Sequence, residues 1–249
     1  MEIPEIDKLL DCYRAVSVGL PLVERQSVLR SIERQIAASL ELPVYLWNLA
    51  TNGYNLIKWN QRKQQFDLST LVKFDELSPF RQATDALAFC HDWTEEGIFI
   101  LENLQSLMSQ GVTGFQEQEV LKCWLINTVD QFGVSENKYL ILLDTFEVGL
   151  PRALNGIIPS VYQSLPGLEE VIELLKEILP AAGLHQHREP IEQELALAVS
   201  GLSASEIKIG VRMVARWGQA DNLADALLDY KIRRLQGLGL DFIPKPDVS

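Results

Sequence analysis

Two short runs constrain this chain more than anything else in it. Gly97–Leu101 (GIFIL) and Lys138–Leu143 (KYLILL) are apolar at almost every position. A strand with one wet face alternates apolar and polar residues, whereas a continuous apolar run of strand length is buried on both faces. Three further segments read as strands: Tyr13–Gly19, Pro43–Leu49 (PVYLWNL) and Ile157–Gln163. Between them lie helical patterns at Val23–Leu40, at Phe80–Asp92 after Pro79, at Gln116–Phe132 and at Leu168–Leu179. In the third of these, Val120, Cys123, Trp124, Ile126, Asn127 and Phe132 are placed near one side. Strands alternating with helices predict an α/β domain, with five mainly parallel strands covered on both faces. The stretch Tyr54–Leu71 is ambiguous and is compatible with a hairpin around Ile57–Trp59, after a turn at Thr51-Asn52-Gly53.

The pattern changes after Pro180. Pro190 suits a helix start and Gly201 a helix stop. Ser203-Ala204-Ser205-Glu206 is a capping box, and Asp221 or Asn222 suits the cap of a last helix ending at Gly237. The expected division is therefore a core over residues 1–188, a three-helix lid over 189–237 and a linker over 238–249.

Composition narrows the function classes. The chain has 249 residues, 47% of them apolar, and a net charge of −12. So acidic a chain is a poor partner for a phosphate backbone or an anionic membrane surface. No run reaches the ~18 apolar residues of a membrane-spanning helix. The acidic start, Met1–Leu10, has the wrong charge for a signal or transit peptide. Cys12, Cys90 and Cys123 are odd in number and lie in apolar surroundings, which predicts buried thiols in a reducing compartment such as the cytoplasm.

A sheet domain followed by a small helical domain is the RecA/AAA+-like layout, which makes the strand ends candidate nucleotide positions. After the first strand, Gly19-Leu20-Pro21-Leu22-Val23-Glu24-Arg25-Gln26 keeps the spacing of a phosphate-binding loop. Its chemistry is altered: Glu24 stands where a glycine would, Arg25 and Gln26 where Lys and Ser/Thr would, and Pro21 removes a donor amide. The competing reading is a strand, a Pro turn and a helix start. The third apolar strand ends in Glu102-Asn103 instead of the Asp-Glu that holds Mg²⁺ and activates water; Asn103 cannot accept a proton, and its competing role is a cap. Asp144-Thr145 ends the next strand, at the position of a γ-phosphate sensor, but is acidic. His185-x-His187 with Cys90-His91 lacks zinc-site spacing and reads as a solvated loop. The five tryptophans and the acids of Glu169–Glu194 read as packing and a solvated face. Arg233-Arg234 is either surface charge or a reach to a neighbouring subunit.

The sequence also resembles a family. Glu24-Arg25, Val44-Tyr45-Leu46-Trp47 with Asn52-Gly53, Gly97–Leu101, Leu165-Pro166, Gly201-Leu202-Ser203 and Pro246-Asp247-Val248 occur in the order and spacing of the N-terminal half of the cyanobacterial and plastid AAA+ ATPases named hypothetical chloroplast open reading frame forty-six. The resemblance implies a photosynthesis-linked protein of the bacterial cytoplasm or plastid stroma whose intact ATPase domain lies in a second half, with this chain a fragment or a short relative. The expectation is a non-catalytic AAA+-like domain for assembly or regulation, with protein partners: an ATPase half or copies of itself, neither nucleic acid nor membrane, and no confident cofactor. The alternatives are an ATP–Mg²⁺-binding, weakly hydrolysing ATPase, helped only by Glu102 and Arg25, and a clamp-loader-like scaffold disfavoured by the charge.

Overall fold

The computed structural model describes residues 6–51, 53–74, 78–109, 114–145, 149–184, 193–217 and 223–236. The chain divides into two units, Met1–Gln163 and Ser164–Ser249.

The first unit is built on a seven-stranded sheet. Its strands are β1 (Ala15–Leu20), β2 (Val44–Asn48), β3 (Gly53–Asn60), β4 (Gln65–Lys73), β5 (Gly97–Glu102), β6 (Lys138–Thr145) and β7 (Ser160–Tyr162). They run in the order β4-β3-β2-β5-β6-β1-β7. β7, β1, β6, β5 and β2 are mutually parallel, whereas β3 and β4 form an antiparallel hairpin against β2. The five parallel strands are those expected, and the hairpin extends the sheet to seven. Its turn lies at 61–64, not around Ile57–Trp59: Asn60 Oδ1 accepts from the amides of Arg62 and Lys63, and Gln64 takes a left-handed φ of 52°. Gly53 opens β3 at φ 150°, where a Cβ would sit 2.0 Å from the Val72 carbonyl oxygen, so only glycine fits.

Period-two alternation sorts the strand residues between two cores. Tyr45, Trp47, Phe99, Leu101, Leu140 and Leu142 pack with α4 (Pro79–Asp92), α5 (Leu104–Met108) and α6 (Phe115–Val134). Val44, Leu46, Ile98, Ile100, Ile141 and Leu143 pack on the other face. Their partners there are α1 (Ile6–Tyr13), a helix not foreseen in the sequence, and the helical run of α2 (Arg25–Ser31), a π-helical turn Ile32–Ala37 and α3 (Ala38–Leu40). Burying each such side chain contributes about 1.5–3 kcal/mol, which is why the apolar runs form the central strands.

Two expectations about buried faces are corrected. The face of α6 turned inward is Leu121, Leu125, Val129 and Phe132; Val120 is 42% exposed and Cys123 is exposed, because the stripe is offset from the positions expected. Of the three cysteines only Cys90 is buried; Cys12 and Cys123 are exposed.

The second unit is helical among its described residues: α7 (Leu168–Ala181), α8 (Gln193–Val199), α9 (Ala204–Trp217) and α10 (Leu223–Gln236). Val171, Leu175 and Leu179 of α7 form one core with Leu195, Val199, Val211 and Leu227. The units divide after Gln163, so α7 groups with α8, α9 and α10, the described helices within 189–237. The capping box is present: Glu206 N donates to Ser203 Oγ at 3.3 Å and Ser203 N to Glu206 Oε2 at 3.0 Å. Arg234 donates to the other Glu206 oxygen at 3.1 Å, which gives that arginine a role within its own unit. Pro190, Asp221, Asn222, Gly237 and the linker over 238–249 lie outside the described residues.

Candidate functional site

In parallel α/β sheets, ligands bind beyond the carboxyl ends of the strands, where strand order reverses. Here β1 lies between β6 and β7, so the ends of β1, β5 and β6 are the place to look. A cleft there is lined by Leu20, Leu22, Arg25, Glu102, Asn103, Leu143, Asp144 and Thr145. Its interior is about 30 Å³, room for roughly one or two waters.

The phosphate-loop octet does not form a loop. Gly19 and Leu20 remain inside β1, where Gly19 is the register partner of both Asp144 and Tyr162. Pro21 alone separates the strand from a 3₁₀ turn over Leu22–Glu24. The amides that would face a phosphate are engaged: Glu24 N donates to the Pro21 carbonyl and Arg25 N to that of Leu22. Glu24 is fully buried and Gln26 exposed, and neither lines the cleft.

Arg25 closes the site chemically. Its guanidinium binds Glu102 bidentately, Nε to Oε1 at 2.5 Å and Nη2 to Oε2 at 2.7 Å. Such a fork fixes the carboxylate in direction as well as charge. Asn48, at the end of β2, donates Nδ2 to the same Oε2 at 2.9 Å. Its Oδ1 accepts from the amides of Ala50 and Thr51, so the turn after β2 holds the asparagine in place. Glu102, at the strand end where an acid would meet a metal, is thus turned onto an arginine and an amide.

Asp144 is held separately. It accepts from Ser106 N at 3.0 Å, from Ser106 Oγ and from its neighbour's amide, Thr145 N, at 2.8 Å. Burial pushes its carboxyl above the ordinary carboxylate range, these hydrogen bonds oppose the rise, and the charge of Glu102 adds to it. Asn103 sits in the left-handed region at φ 61°, and its side chain makes no capping bond to α5. The helical start at Leu104 rests on Asp144 and Ser106 instead.

The structure therefore places Arg25, Glu102, Asn103, Asp144 and Thr145 around one cleft and leaves Glu24 and Gln26 away from it. Asn48 and Ser106 were missed in the sequence. Asn48 carried a readable signal, a polar residue closing the apolar strand Val44–Trp47; Ser106 carried none. No group of three or more His, Cys, Asp or Glu among the described residues could hold a metal. Cys90 and His91 diverge: the Cys90 thiol meets the Tyr54 hydroxyl at 2.7 Å inside the core, while His91 pairs with Asp92. His185 and His187 lie outside the described residues. No described helix is long and apolar enough to cross a membrane.

No family model matches the sequence. No curated protein matches it either. Solved structures do. A chain of the E. coli MS115-1 HORMA:CdnC:Trip13 complex matches with a TM-score of 0.57 at 13% identity, over 98% of this chain and 80% of that one. C. elegans PCH-2 matches with a TM-score of 0.50 at 12% identity, over 92% of this chain and 64% of that one. The fold is a RecA/AAA+-like α/β fold.

Proposed function

We propose that this chain is a non-catalytic AAA+-like domain that acts through protein contacts, in the assembly or regulation of an attached or partner ATPase. One observation carries the reading: the bidentate Arg25–Glu102 pair, braced by Asn48, at the strand ends where a nucleotide enzyme needs an open carboxylate. Hydrolysis requires a cation held by that acid, a base for water and amides facing the phosphates. In this chain the acid is neutralised by Arg25, Asn103 is no base, and the amides of Glu24 and Arg25 are engaged in the 3₁₀ turn. Each loss alone lowers rates by orders of magnitude. Kinship with the cyanobacterial and plastid family, and with it a photosynthetic setting, belongs to the same proposal and rests on the motif order given above.

Calorimetric titration with ATP and Mg²⁺, beside a phosphate-release assay, tests this. The expected result is neither saturable heat nor turnover. Turnover above about 0.01 per second, against ~10 for ordinary enzymes, would overturn the proposal if Glu102→Ala abolished it.

A further inference from the structure

An asparagine followed by glycine is chemically exposed, because the glycine nitrogen reaches the asparagine side-chain carbonyl unhindered by a Cβ. The pair occurs twice in this sequence, at Asn52-Gly53 and Asn155-Gly156. The two glycines stand in different settings. Gly53 is held in the sheet, register partner of Asn48 on one side and of Lys73 on the other. Gly156 lies in the exposed turn between β6 and β7. A Cβ there would meet nothing within 4 Å and its φ is not left-handed, so the fold does not require glycine at 156. Its amide has no acceptor among the described residues, although the amides around it do. Asn155 N donates to the Arg152 carbonyl at 3.3 Å, and Ile157 N and Ile158 N share the Leu154 carbonyl at 2.9 Å. Asn155 is exposed and closes the 3₁₀ turn Arg152–Leu154 at φ −61° and ψ −22°. Ring closure needs that ψ to change. One long bond and one shared carbonyl oppose the change, in a surface turn of the kind that opens locally at low cost.

We infer that Asn155 is the preferred deamidation site of this chain. The Gly156 nitrogen gives its proton to hydroxide and bonds to Asn155 Cγ. The Cγ–Nδ2 bond breaks, ammonia leaves with a proton from water, and a succinimide remains. A second water opens the ring. Cleavage between the Gly156 nitrogen and Cγ yields aspartate; cleavage between that nitrogen and the Asn155 main-chain carbonyl yields isoaspartate. Nothing is oxidised or reduced, and hydroxide is regenerated. Isoaspartate inserts a methylene into the main chain and adds a carboxylate between Leu154 and Ile158, both fully buried. Those two residues anchor the segment leading into β7, whose Pro159 carbonyl accepts from Ser17 N of β1 at 2.9 Å. A longer chain between the anchors loosens the seating of β7 on β1. The inference is independent of the closed nucleotide site and stands if that reading fails.

Ageing the full chain at pH 8, folded and in urea, with peptide mapping by mass spectrometry, tests it. In the folded chain Asn155 should convert first, to aspartate and isoaspartate together, and faster at pH 9 than at pH 7. In urea Asn52 should convert as fast as Asn155, because only the fold holds Gly53. Gly156→Ala should slow conversion at Asn155 roughly tenfold by placing a Cβ beside the attacking nitrogen. It should leave the melting point unlowered, since the space there is open. In the isolated isoaspartyl form, hydrogen exchange over 160–162 should be faster than in the parent. Conversion at Asn155 no faster than at Asn52 in the folded chain, a rate unmoved by Gly156→Ala, or unchanged exchange over β7 would each overturn the inference.

Discussion

Replacing Arg25 by Met removes a cation and leaves a carboxylate buried. The Glu102 side chain is 5% exposed and that of Arg25 37%. Breaking a fully buried pair costs about 3–5 kcal/mol, since the remaining charge keeps its desolvation penalty. Fully exposed pairs are worth about 0.2–1 kcal/mol. Glu102 belongs to the first regime and Arg25 lies between the two, with Asn48 still donating to the orphaned carboxylate. The expected loss is therefore about 2 kcal/mol. Removing the charge as well, in Arg25→Met with Glu102→Gln, should recover most of it, because a neutral amide in contact with Asn48 needs no counter-ion. Urea unfolding followed by tryptophan fluorescence suits the measurement, since Trp47 and Trp93 pack in the core of the same unit. At roughly 2–4 °C per kcal/mol, the single variant should melt about 4–8 °C lower. A single variant within about 0.5 kcal/mol of the parent, or a double variant losing more than the single, would show that Arg25 does not neutralise Glu102.

Three further outcomes follow from individual contacts. Asp144 has a folded pKa raised above 3.8, so the folded state binds its proton more tightly than the unfolded chain; its stability contribution falls as pH rises from 3.8 through the raised value, and Asp144→Asn should stabilise the protein at pH 7 but not below that window, with a gain identical across pH in urea titrations counting against this. Burial pushes the Cys90 thiol up to about 12, so at pH 8 a thiol reagent should modify Cys12 and Cys123 quickly and Cys90 only after unfolding; rapid reaction of all three thiols would refute its placement. In α9, a Cβ on Gly210 would sit 2.7 Å from the Tyr230 ring, so Gly210→Ala should destabilise by about 1–3 kcal/mol despite the better helix propensity of alanine, and Tyr230→Leu should relieve the loss in thermal melts; a melting point raised by Gly210→Ala alone would contradict the packing.

Much of the molecule was legible because the relevant physics is local. The runs at Gly97–Leu101 and Lys138–Leu143 have the length and continuous apolar character of buried strands, and Pro79 suits the first position of a helix. The Ser203–Glu206 box satisfies its own amides. The β3–β4 hairpin was harder to read because its pattern is mixed: Trp59 packs inward beside exposed Lys58, and the exposed Leu68 breaks the alternation that marks a half-buried strand. α7 shows a different limit. Its stripe of Val171, Leu175 and Leu179 announces a buried face, but a stripe does not name its partner, and that partner is the rest of the helical unit.

The candidate site divides the same way. The sequence by itself determined which residue types stand at each strand end: Glu24, Arg25, Glu102, Asn103, Asp144 and Thr145 are fixed by where apolar runs stop. It also determined that Arg25 stands where the loop lysine would and Asn103 where the base would. Only the tertiary structure decided who meets whom. Arg25 and Glu102 are 77 positions apart and follow strands that are not neighbours, β6 lying between β1 and β5. Their contact, and the arrival of Asn48 from β2, depend on strand order, which is set by the summed packing of two cores rather than by any local preference. The absent loop after β1 depends on register, since pairing with β6 draws Gly19 and Leu20 into the strand. Spacing along the chain is a property of sequence; the space left between strand ends is a property of the packed sheet.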